Sequence, residues 1–262
     1  MRILRYEAGE AVHLGEERDG KVLRLEGSLY GFLSSTEIED RPDRILAPLA
    51  PSMIIGIGQN YRRHAEEQGA AVADHPVVFF KAVNSACGSG EPVSLPRVLR
   101  STKVDYEAEL AVVIGRDCLN ATKEDGLSYV LGVTCGNDIS ARDWQKEWGG
   151  GQWSRAKSFD TFCPLGPCLV TLDELPNPND LHISARLNGE TVQDWTTSDM
   201  IFDIPTLIEF LSSDTTLPAG TVIMTGTPHG VGMARNPPLF LQRGDVIEVE
   251  IEGIGVLKNP IA

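Results

Sequence analysis

The stretch Val104-Asp105-Tyr106-Glu107-Ala108-Glu109-Leu110-Ala111-Val112-Val113-Ile114 has the alternating pattern of a β-strand. Side chains alternate between the two faces of a strand, so one face is apolar and the other carries Asp105, Glu107 and Glu109. Residues two apart lie roughly 7 Å from each other, which lets two carboxylates converge on one ion. Periodicity alone leaves two interpretations open, a metal-binding strand or a strand edge whose acidic face lies in solvent.

Short β-branched strands separated by Gly and Pro turns dominate the rest of the chain, which predicts a mostly β (α+β) fold with few short helices. The clearest helix is predicted over 205–212, where apolar residues recur at helical spacing behind Asp203. A shorter helix is expected between Asn60, as N-cap, and Gly69. The predicted strands are Met53–Ile57, Val77–Phe80, Tyr106–Ile114, Tyr129–Val133, Thr221–Met224 and Val246–Ile251.

The 262 residues are compatible with one main domain and a small satellite. Residues 1–48 alternate short apolar pieces with glycine and charged turns, and they end in a Pro-containing charged run. We therefore expect a small N-terminal β-rich lobe over 1–48 and a catalytic domain over 49–262.

Charge and cysteine content exclude several classes of protein. The formal net charge of −14 disfavours binding to nucleic acid, because a phosphate backbone would be repelled. No apolar run is long enough to span a bilayer, and the first residues lack the apolar stretch of a signal peptide. The five cysteines show no Cys-x-x-Cys spacing, which argues against a zinc site. A cytoplasmic protein with reduced thiols and no membrane partner is expected.

A second acidic strand, Ile247-Glu248-Val249-Glu250-Ile251-Glu252, has the same alternation as the first, so the pattern does not choose between them. A further carboxylate, Asp138, follows an apolar strand, although it could instead be a helix cap or a turn residue. Beyond it, Arg142 and Gln145 would lie one helical turn apart. They could jointly bind a substrate carboxylate or carbonyl.

A candidate base lies in the predicted helix near residue 64. Tyr61, His64 and Glu67 fall on one helical face, whereas Glu66 points elsewhere, so Glu67 can orient the His64 imidazole and the pair can activate a water. The competing interpretation is a charged surface helix.

A glycine-rich turn, Gly226-Thr227-Pro228-His229-Gly230-Val231-Gly232, follows the strand that ends at Met224. Successive backbone N–H groups in such a turn can converge on an anion, and Thr227 adds a hydroxyl. The Gly-Lys-Ser/Thr of a phosphate loop is absent, so we expect the turn to bind a small carboxylate and not a nucleotide. A simple tight turn remains the alternative.

Five segments, in order, resemble motifs of the fumarylacetoacetate hydrolase family, and the resemblance covers about 51–260. The run 157–167 is similar to that of the family's smaller domain-containing members. The segments are Asn60-Tyr61-x-x-His64-x-x-Glu67, 104–115, 137–143, 157–162 and 225–232.

The resemblance implies a mixed β-sandwich roll, a homodimer and a divalent-metal site. It implies that Glu107, Glu109 and Asp138 are the metal ligands and that the acidic residues of the second strand are not. Three carboxylates with open positions suit Mg²⁺ or Mn²⁺. The longer hydrolases of the family add a fourth carboxylate near Gln59 or Asn60, and since neither is acidic here, Ca²⁺ is the less expected ion.

The resemblance also implies a reaction. A 2-oxo acid would chelate the metal, Lys157 would add positive charge beside the enolate, and hydroxide generated by His64 and Glu67 would attack the distal carbonyl of an acylpyruvate-type acid. The C–C bond then breaks and releases a metal-bound enolate. Tyr61, Arg142, Gln145 and Thr227 are the expected substrate-binding residues.

Other activities use the same metal-enolate chemistry in relatives. The main alternative is an oxaloacetate tautomerase or decarboxylase, or a related isomerase. A noncatalytic metal-binding scaffold is a further possibility, against which the presence of both His64 and Glu67 argues.

Overall fold

The computed structural model describes residues 1–175 and 177–262. The helices are α1 Arg62–Glu67, α2 Ser154–Lys157 and α3 Ile204–Ser212, with a π-helix at Trp144–Trp148. The strands are β1 Arg2–Ala8, β2 Ala11–Arg18, β3 Lys21–Gly27, β4 Leu33–Asp40, β5 Arg44–Ile45, β6 Met53–Gly58, β7 Val77–Lys81, β8 Ala86–Cys87, β9 Val104–Asp105, β10 Ala108–Ile114, β11 Val130–Asn137, β12 Ser140–Ala141, β13 Cys163–Val170, β14 His182–Leu187, β15 Glu190–Thr196, β16 Thr221–Met224, β17 Val246–Ile251 and β18 Gly255–Pro260.

One large sheet organises the chain, in the order β4-β3-β2-β1-β13-β11-β10-β16-β6-β7, with β5 beside β1 and β8 beside β13. Strand β16 is inserted between β10 and β6, antiparallel to the first and parallel to the second. A four-stranded sheet, β15-β14-β17-β18, and the small pair β12-β9 complete the fold. The mostly β class is confirmed.

The central strand β10 is buried on both faces. Leu110 and Val112 join the apolar cluster that includes Ile183 and Val249 of the four-stranded sheet. On the other face, Ala111 packs with residues of β1, β13 and β16. Full burial of one such aliphatic side chain contributes about 1.5–3 kcal/mol. The interpretation of this strand as a solvent-facing edge is therefore wrong.

The predicted strand 106–114 begins two residues too early. The backbone leaves the large sheet between β9 and β10, and β9 pairs instead with β12 through Asp105 and Ser140. Glu107 lies in this break, where its N–H donates to Asn137 Oδ1 at 3.0 Å. The side-chain amide thus satisfies a backbone group that the strand ladder does not.

The two predicted helices form, with different bounds. Helix α3 begins after Asp203, whose carboxylate accepts from the N–H of Thr206 at 3.0 Å, as an N-cap does. Helix α1 is capped by Tyr61 rather than Asn60. At its end, Gly69 has φ +61°, and the N–H groups of Gly69 and Ala70 return to Glu66 and Ala65, which is a Schellman motif.

The N-terminal strands continue the large sheet, because β1 pairs with β13. The division of the chain at residue 48 stays a prediction. Sequence periodicity missed β13, where Pro164 and Pro167 disfavour a strand assignment. No helix in the described part of the chain has the length and apolarity of a membrane span.

Candidate metal and active site

Three buried carboxylates meet beside strand β10. Glu107, Glu109 and Asp138 each place one carboxylate oxygen so that all three lie within 4.8 Å of one another. They come together because β10 pairs with β11 in the register Glu109↔Gly136, and Asp138 directly follows β11. The N–H of Asp138 donates to the carbonyl of Glu107 at 2.9 Å, which fixes the spacing of these two residues.

Two buried lysines contact this carboxylate group. The Lys157 ammonium lies 2.7 Å from Glu107 Oε2, 2.5 Å from Asp138 Oδ2 and 2.8 Å from Ser140 Oγ. Lys81 approaches the other oxygen of Asp138 at 2.6 Å. Asp138 therefore has an ammonium on each carboxylate oxygen. Burial opposes the charge of Lys157, but Asp138 and Glu107 outweigh that effect and raise its pKa.

Arg142 joins the group from the other side. Its Nε donates to Asp105 at 2.8 Å, Nη2 to Glu107 at 2.8 Å and Nη1 to the side-chain oxygen of Gln145 at 2.9 Å. Arg142 and Gln145 thus contact each other, and their joint binding of a substrate stays a prediction. Burial opposes ionisation of Glu107, yet Lys157 and Arg142 hold its pKa well below the usual range.

The charges of the group do not balance. Four buried carboxylates, those of the three-residue group and Asp105, face three buried cations, so the ionised group has one negative charge in excess. Burial, followed by the charges of Asp138 and Glu107, raises the pKa of Glu109 well above its usual range. A divalent cation would favour the ionised form of Glu109, so the donor set fits an oxygen-preferring metal ion.

The glycine-rich turn binds anions, but they are carboxylates of the protein itself. The N–H of Gly226 donates to Glu109 at 2.9 Å, and that of Gly230 to Glu67 at 2.9 Å. Gly232 and its neighbour Met233 both donate to Asp105. The expectation that these amides receive a substrate carboxylate is therefore wrong. The turn instead fixes the positions of three acidic side chains.

His64 and Glu67 form the predicted pair on helix α1. Nδ1 of His64 lies 3.2 Å from Glu67, and Nε2 lies 3.3 Å from the side-chain nitrogen of Gln68. These contacts assign the proton to Nδ1 and leave Nε2 as the acceptor. Burial opposes ionisation of Glu67, but the bonds from His64 and the Gly230 amide lower its pKa. An imidazole held in this way can take up a proton at Nε2.

One cavity connects this base to the carboxylates. The space between its lining atoms amounts to about 370 Å³ when the adjoining open solvent is included. Tyr61 does not line it. The lining residues are Ile57, Gly58, Gln59, His64, Gln68, Phe79, Glu107, Glu109, Asp138, Arg142, Gln145, Lys146, Trp153, Lys157 and Thr227.

Several positions around the cavity bear on the sequence-based expectations. The Thr227 hydroxyl accepts from Gln193 at 2.8 Å. Gln59 lines the cavity in a left-handed conformation, with φ +54°, whereas the side chain of Asn60 bonds the backbone of Phe202 and Thr225. Neither supplies a fourth carboxylate. The Tyr61 hydroxyl is buried and has no hydrogen-bond partner among the described residues.

The second acidic strand has a different environment. Glu248 lies 2.9 Å from both Arg186 and Lys258, and Glu250 lies 2.5 Å from Arg186. These are partly exposed ion pairs that join β17 to its neighbours. Among the residues that the structure describes, Glu248 and Glu250 thus each already have a cationic partner, unlike Glu109.

Comparison with known sequences identifies the family. A family model described as fumarylacetoacetate (FAA) hydrolase C-terminal matches residues 53–262. The chain belongs to the fumarylacetoacetate hydrolase family. The resemblance found in the five sequence segments is thereby confirmed.

Curated proteins resemble this member of the fumarylacetoacetate hydrolase family over most of its length. The mitochondrial oxaloacetate tautomerase fahd2 of Xenopus laevis is 46% identical over 218 residues, covering 83% of this chain and 68% of the relative. A protein of Archaeoglobus fulgidus described as uncharacterized is 44% identical over 256 residues, covering 97% and 94%.

Solved structures agree with this assignment. A fumarylacetoacetate hydrolase from Exiguobacterium antarcticum is 38% identical, with a TM-score of 0.90, and the match covers 100% of this chain and 99% of that chain. A 5-carboxymethyl-2-hydroxymuconate delta-isomerase from Mycobacterium smegmatis is 36% identical, with a TM-score of 0.87 and the same coverage. Family members of similar fold thus have names that denote different reactions.

Sequence reasoning missed several residues of this fumarylacetoacetate hydrolase family site. Lys81 is the last residue of β7. The signal that could have identified it is a charged residue directly after the apolar run Val77–Phe80. Gln68 and Lys146 line the cavity without any motif that marks them. Trp153 packs so closely against Gly58 that a Cβ at that glycine would lie 2.3 Å from the indole.

Proposed function

We propose that this chain is a divalent-metal-dependent enzyme that interconverts the keto and enol forms of an oxaloacetate-type 2-oxo acid. The observation that carries the proposal is that His64, held by Glu67, lines the same cavity as the buried carboxylate group and Lys157. Similarity to curated oxaloacetate tautomerases over more than four-fifths of the chain supports this choice among the family's reactions.

The residues proposed to hold the ion are Glu107, Glu109 and Asp138, and Mg²⁺ or Mn²⁺ suits their all-oxygen donors better than Ca²⁺, which takes more ligands. When bound, such an ion polarises the 2-oxo group and offsets the negative charge that develops on its oxygen.

The chain's own groups then perform the proton transfer. Nε2 of His64 takes the proton from the carbon next to the 2-oxo group, and Glu67 stabilises the resulting imidazolium. Return of that proton to the oxygen completes the enol. The Lys157 ammonium, which contacts Glu107 and Asp138, would stabilise the negative charge that develops on the substrate oxygen. General base catalysis of this kind contributes roughly 10²–10⁴ in rate.

We also propose roles for three further cavity-lining residues. Arg142 and Gln145 would bind the 2-oxo acid end of the substrate, and Thr227 would contact it from the glycine-rich turn. Tyr61 was expected beside them, and its position outside the cavity lining gives that role no support.

A second candidate is hydrolysis of a C–C bond in an acylpyruvate-type acid. It is favoured by the geometry of His64 and Glu67, since an oriented imidazole at a cavity open to solvent also suits removal of a proton from water. The similar Exiguobacterium protein is named as a fumarylacetoacetate hydrolase.

A substrate panel tests both candidates. The protein with Mg²⁺ or Mn²⁺ is mixed with enol-oxaloacetate, oxaloacetate, acetylpyruvate, fumarylpyruvate and 2-keto-3-deoxy sugar acids, and products are identified by NMR. Rapid enol loss without carbon-bond cleavage is expected. Cleavage of an acylpyruvate with no acceleration of tautomerisation would replace the first candidate by the second. Inactivity on the whole panel would support the noncatalytic scaffold.

The remaining expectations stay predictions. A homodimer is tested by sedimentation equilibrium, and a cytoplasmic location by fractionation of the native cells. The absence of a nucleic-acid partner is tested by a binding titration at low salt, where counterion release would favour binding most.

A further inference from the structure

Three cations line the cavity, and one of them differs from the others. Arg142 and Lys157 are buried and paired with carboxylates of the site. Lys146 makes no ion pair with any residue in 1–175 or 177–262. The acceptor it does have is Gln68 Oε1, at 3.4 Å, which is at the long limit for a hydrogen bond. Among the described residues, Lys146 is thus the cation of the cavity that has no ion-pair partner.

The local backbone places this ammonium at the cavity mouth. Lys146 lies in the π-helix Trp144–Trp148, directly after the buried Gln145. Single π-helical turns occur often at functional sites, because the wider turn redirects side chains. Lys146 itself is exposed, whereas Glu109 and Asp138 are 1% and 0% exposed. The cavity therefore has its carboxylate group at the inner end and Lys146 at the rim.

The electrostatic surroundings favour an incoming anion. Partial desolvation and the positive charge of Arg142 lower the pKa of the Lys146 ammonium. A carboxylate arriving at the rim would reverse this effect by supplying the missing opposite charge. Gln68 connects the rim to the base, since its side chain contacts both Lys146 and His64. A group bound by Lys146 would thus lie beside the proton-transfer residue.

We infer that Lys146 binds the distal carboxylate of the substrate and so selects 2-oxo dicarboxylates over 2-oxo monocarboxylates. This inference rests on the proposed function, in which the 2-oxo acid end of the substrate occupies the inner end of the cavity. A substrate held there extends toward the mouth, where Lys146 is the cation that has no carboxylate within ion-pair distance in the described part of the chain. Apolar 2-oxo acids of similar length would leave that cation unpaired.

The test uses two unreactive ligands that differ in the distal carboxylate, N-oxalylglycine and N-methyloxamate. Calorimetry measures their binding to the Mn²⁺-loaded protein and to the variants Lys146→Met and Lys146→Arg. Lys103→Met is the matched control, because it removes an exposed ammonium paired with Glu147 of the same π-helix without lining the cavity.

Lys146→Met should weaken binding of N-oxalylglycine about 10-fold or more, the effect of losing one charged hydrogen bond, and change N-methyloxamate less than about twofold. Lys146→Arg should retain most of the preference for N-oxalylglycine over N-methyloxamate, and Lys103→Met should retain all of it. Equal weakening of both ligands, or of neither, would overturn the inference while leaving the proposed function in place. Failure of the native protein to bind either ligand would overturn both.

Discussion

The backbone N–H of Gly230 donates to Oε1 of Glu67 at 2.9 Å, and the other oxygen of that carboxylate lies 3.2 Å from Nδ1 of His64. One side chain therefore ties helix α1 to the glycine-rich turn and orients the proposed base. A movement of α1 away from the turn would break the first bond. It would also carry His64 away from the carboxylate group.

This relationship predicts unequal effects of substitutions along α1. His64→Ala should lower turnover by about 10²–10⁴, whereas Glu67→Gln should lower it less, because the amide can still hydrogen-bond the imidazole but cannot stabilise its charge. Both variants should bind Mn²⁺ and oxalate. Glu66→Gln is the control, since Glu66 is exposed on another face. Full tautomerase activity of His64→Ala would remove His64 from the reaction.

The choice between the two acidic strands is tested by metal binding. Glu107→Gln should weaken Mn²⁺ affinity strongly and abolish the rise in melting temperature that Mn²⁺ causes, because a ligand of the folded state stabilises it. Glu250→Gln, which changes a partly exposed ion pair with Arg186, should leave both quantities nearly unchanged. The opposite pattern in calorimetry would place the ion on β17.

Lys157 should matter more for turnover than for metal binding. Lys157→Met removes the ammonium between Glu107 and Asp138, so the positive charge proposed to stabilise the transition state is lost while all three carboxylates remain. We expect turnover to fall at least about 100-fold, with a smaller change in Mn²⁺ affinity. Parallel steady-state kinetics and calorimetry measure the two effects. Turnover equal to that of the native protein would exclude the role.

The N-terminal strands contain a pH-dependent contact. Asp40 accepts hydrogen bonds from Tyr6 at 2.6 Å and from two nitrogens of Arg24 at 2.8 Å, and the Arg24 bonds lower its pKa. The folded state thus favours the ionised form, so the stabilisation is present above the unfolded pKa of about 3.9 and is lost as the pH falls through the lower folded pKa.

Asp40→Asn should accordingly lower the free energy of unfolding by about 1–3 kcal/mol at pH 7, and by less at pH 3. Urea unfolding across this pH range, with EDTA present throughout, measures the difference. Glu26→Gln changes an exposed carboxylate on the same sheet and should have little effect at either pH. A difference between native protein and Asp40→Asn that stays constant from pH 3 to pH 7 would contradict the assignment.

Short-range sequence patterns correctly predicted elements that depend on residues near each other in the chain. Strand β16 has the predicted bounds, and Asp203 caps α3 as its position suggests. The break that contains Glu107 was not visible in the sequence, because the backbone there bonds Asn137, a residue from the neighbouring strand. Alternation continues through residue 106 whether or not the backbone stays in the sheet.

Site residues that belong to a sequence motif could be predicted. Site residues that only the tertiary fold brings together could not. Lys81, the last residue of β7, contacts Asp138, which follows β11, although β10, β16 and β6 lie between these two strands in the sheet. No spacing along the chain encodes that contact. The glycine-rich turn was predicted to bind the carboxylate of a small molecule, whereas its amides bind carboxylates of the protein. Their origin within the protein, from Glu67, Asp105 and Glu109, follows only from the packed structure.

The insertion of β16 between β10 and β6 has a consequence for synthesis of the chain on the ribosome. Strands β6 and β10 are translated before β16, which spans Thr221–Met224. In the folded sheet, however, β16 lies between them and pairs with both. Until that strand emerges, the nascent sheet has a gap one strand wide, with the unpaired backbone groups of two apolar strands on either side. Such edges are prone to aggregation, so a strand from the last fifth of the chain protects two strands that are translated before it.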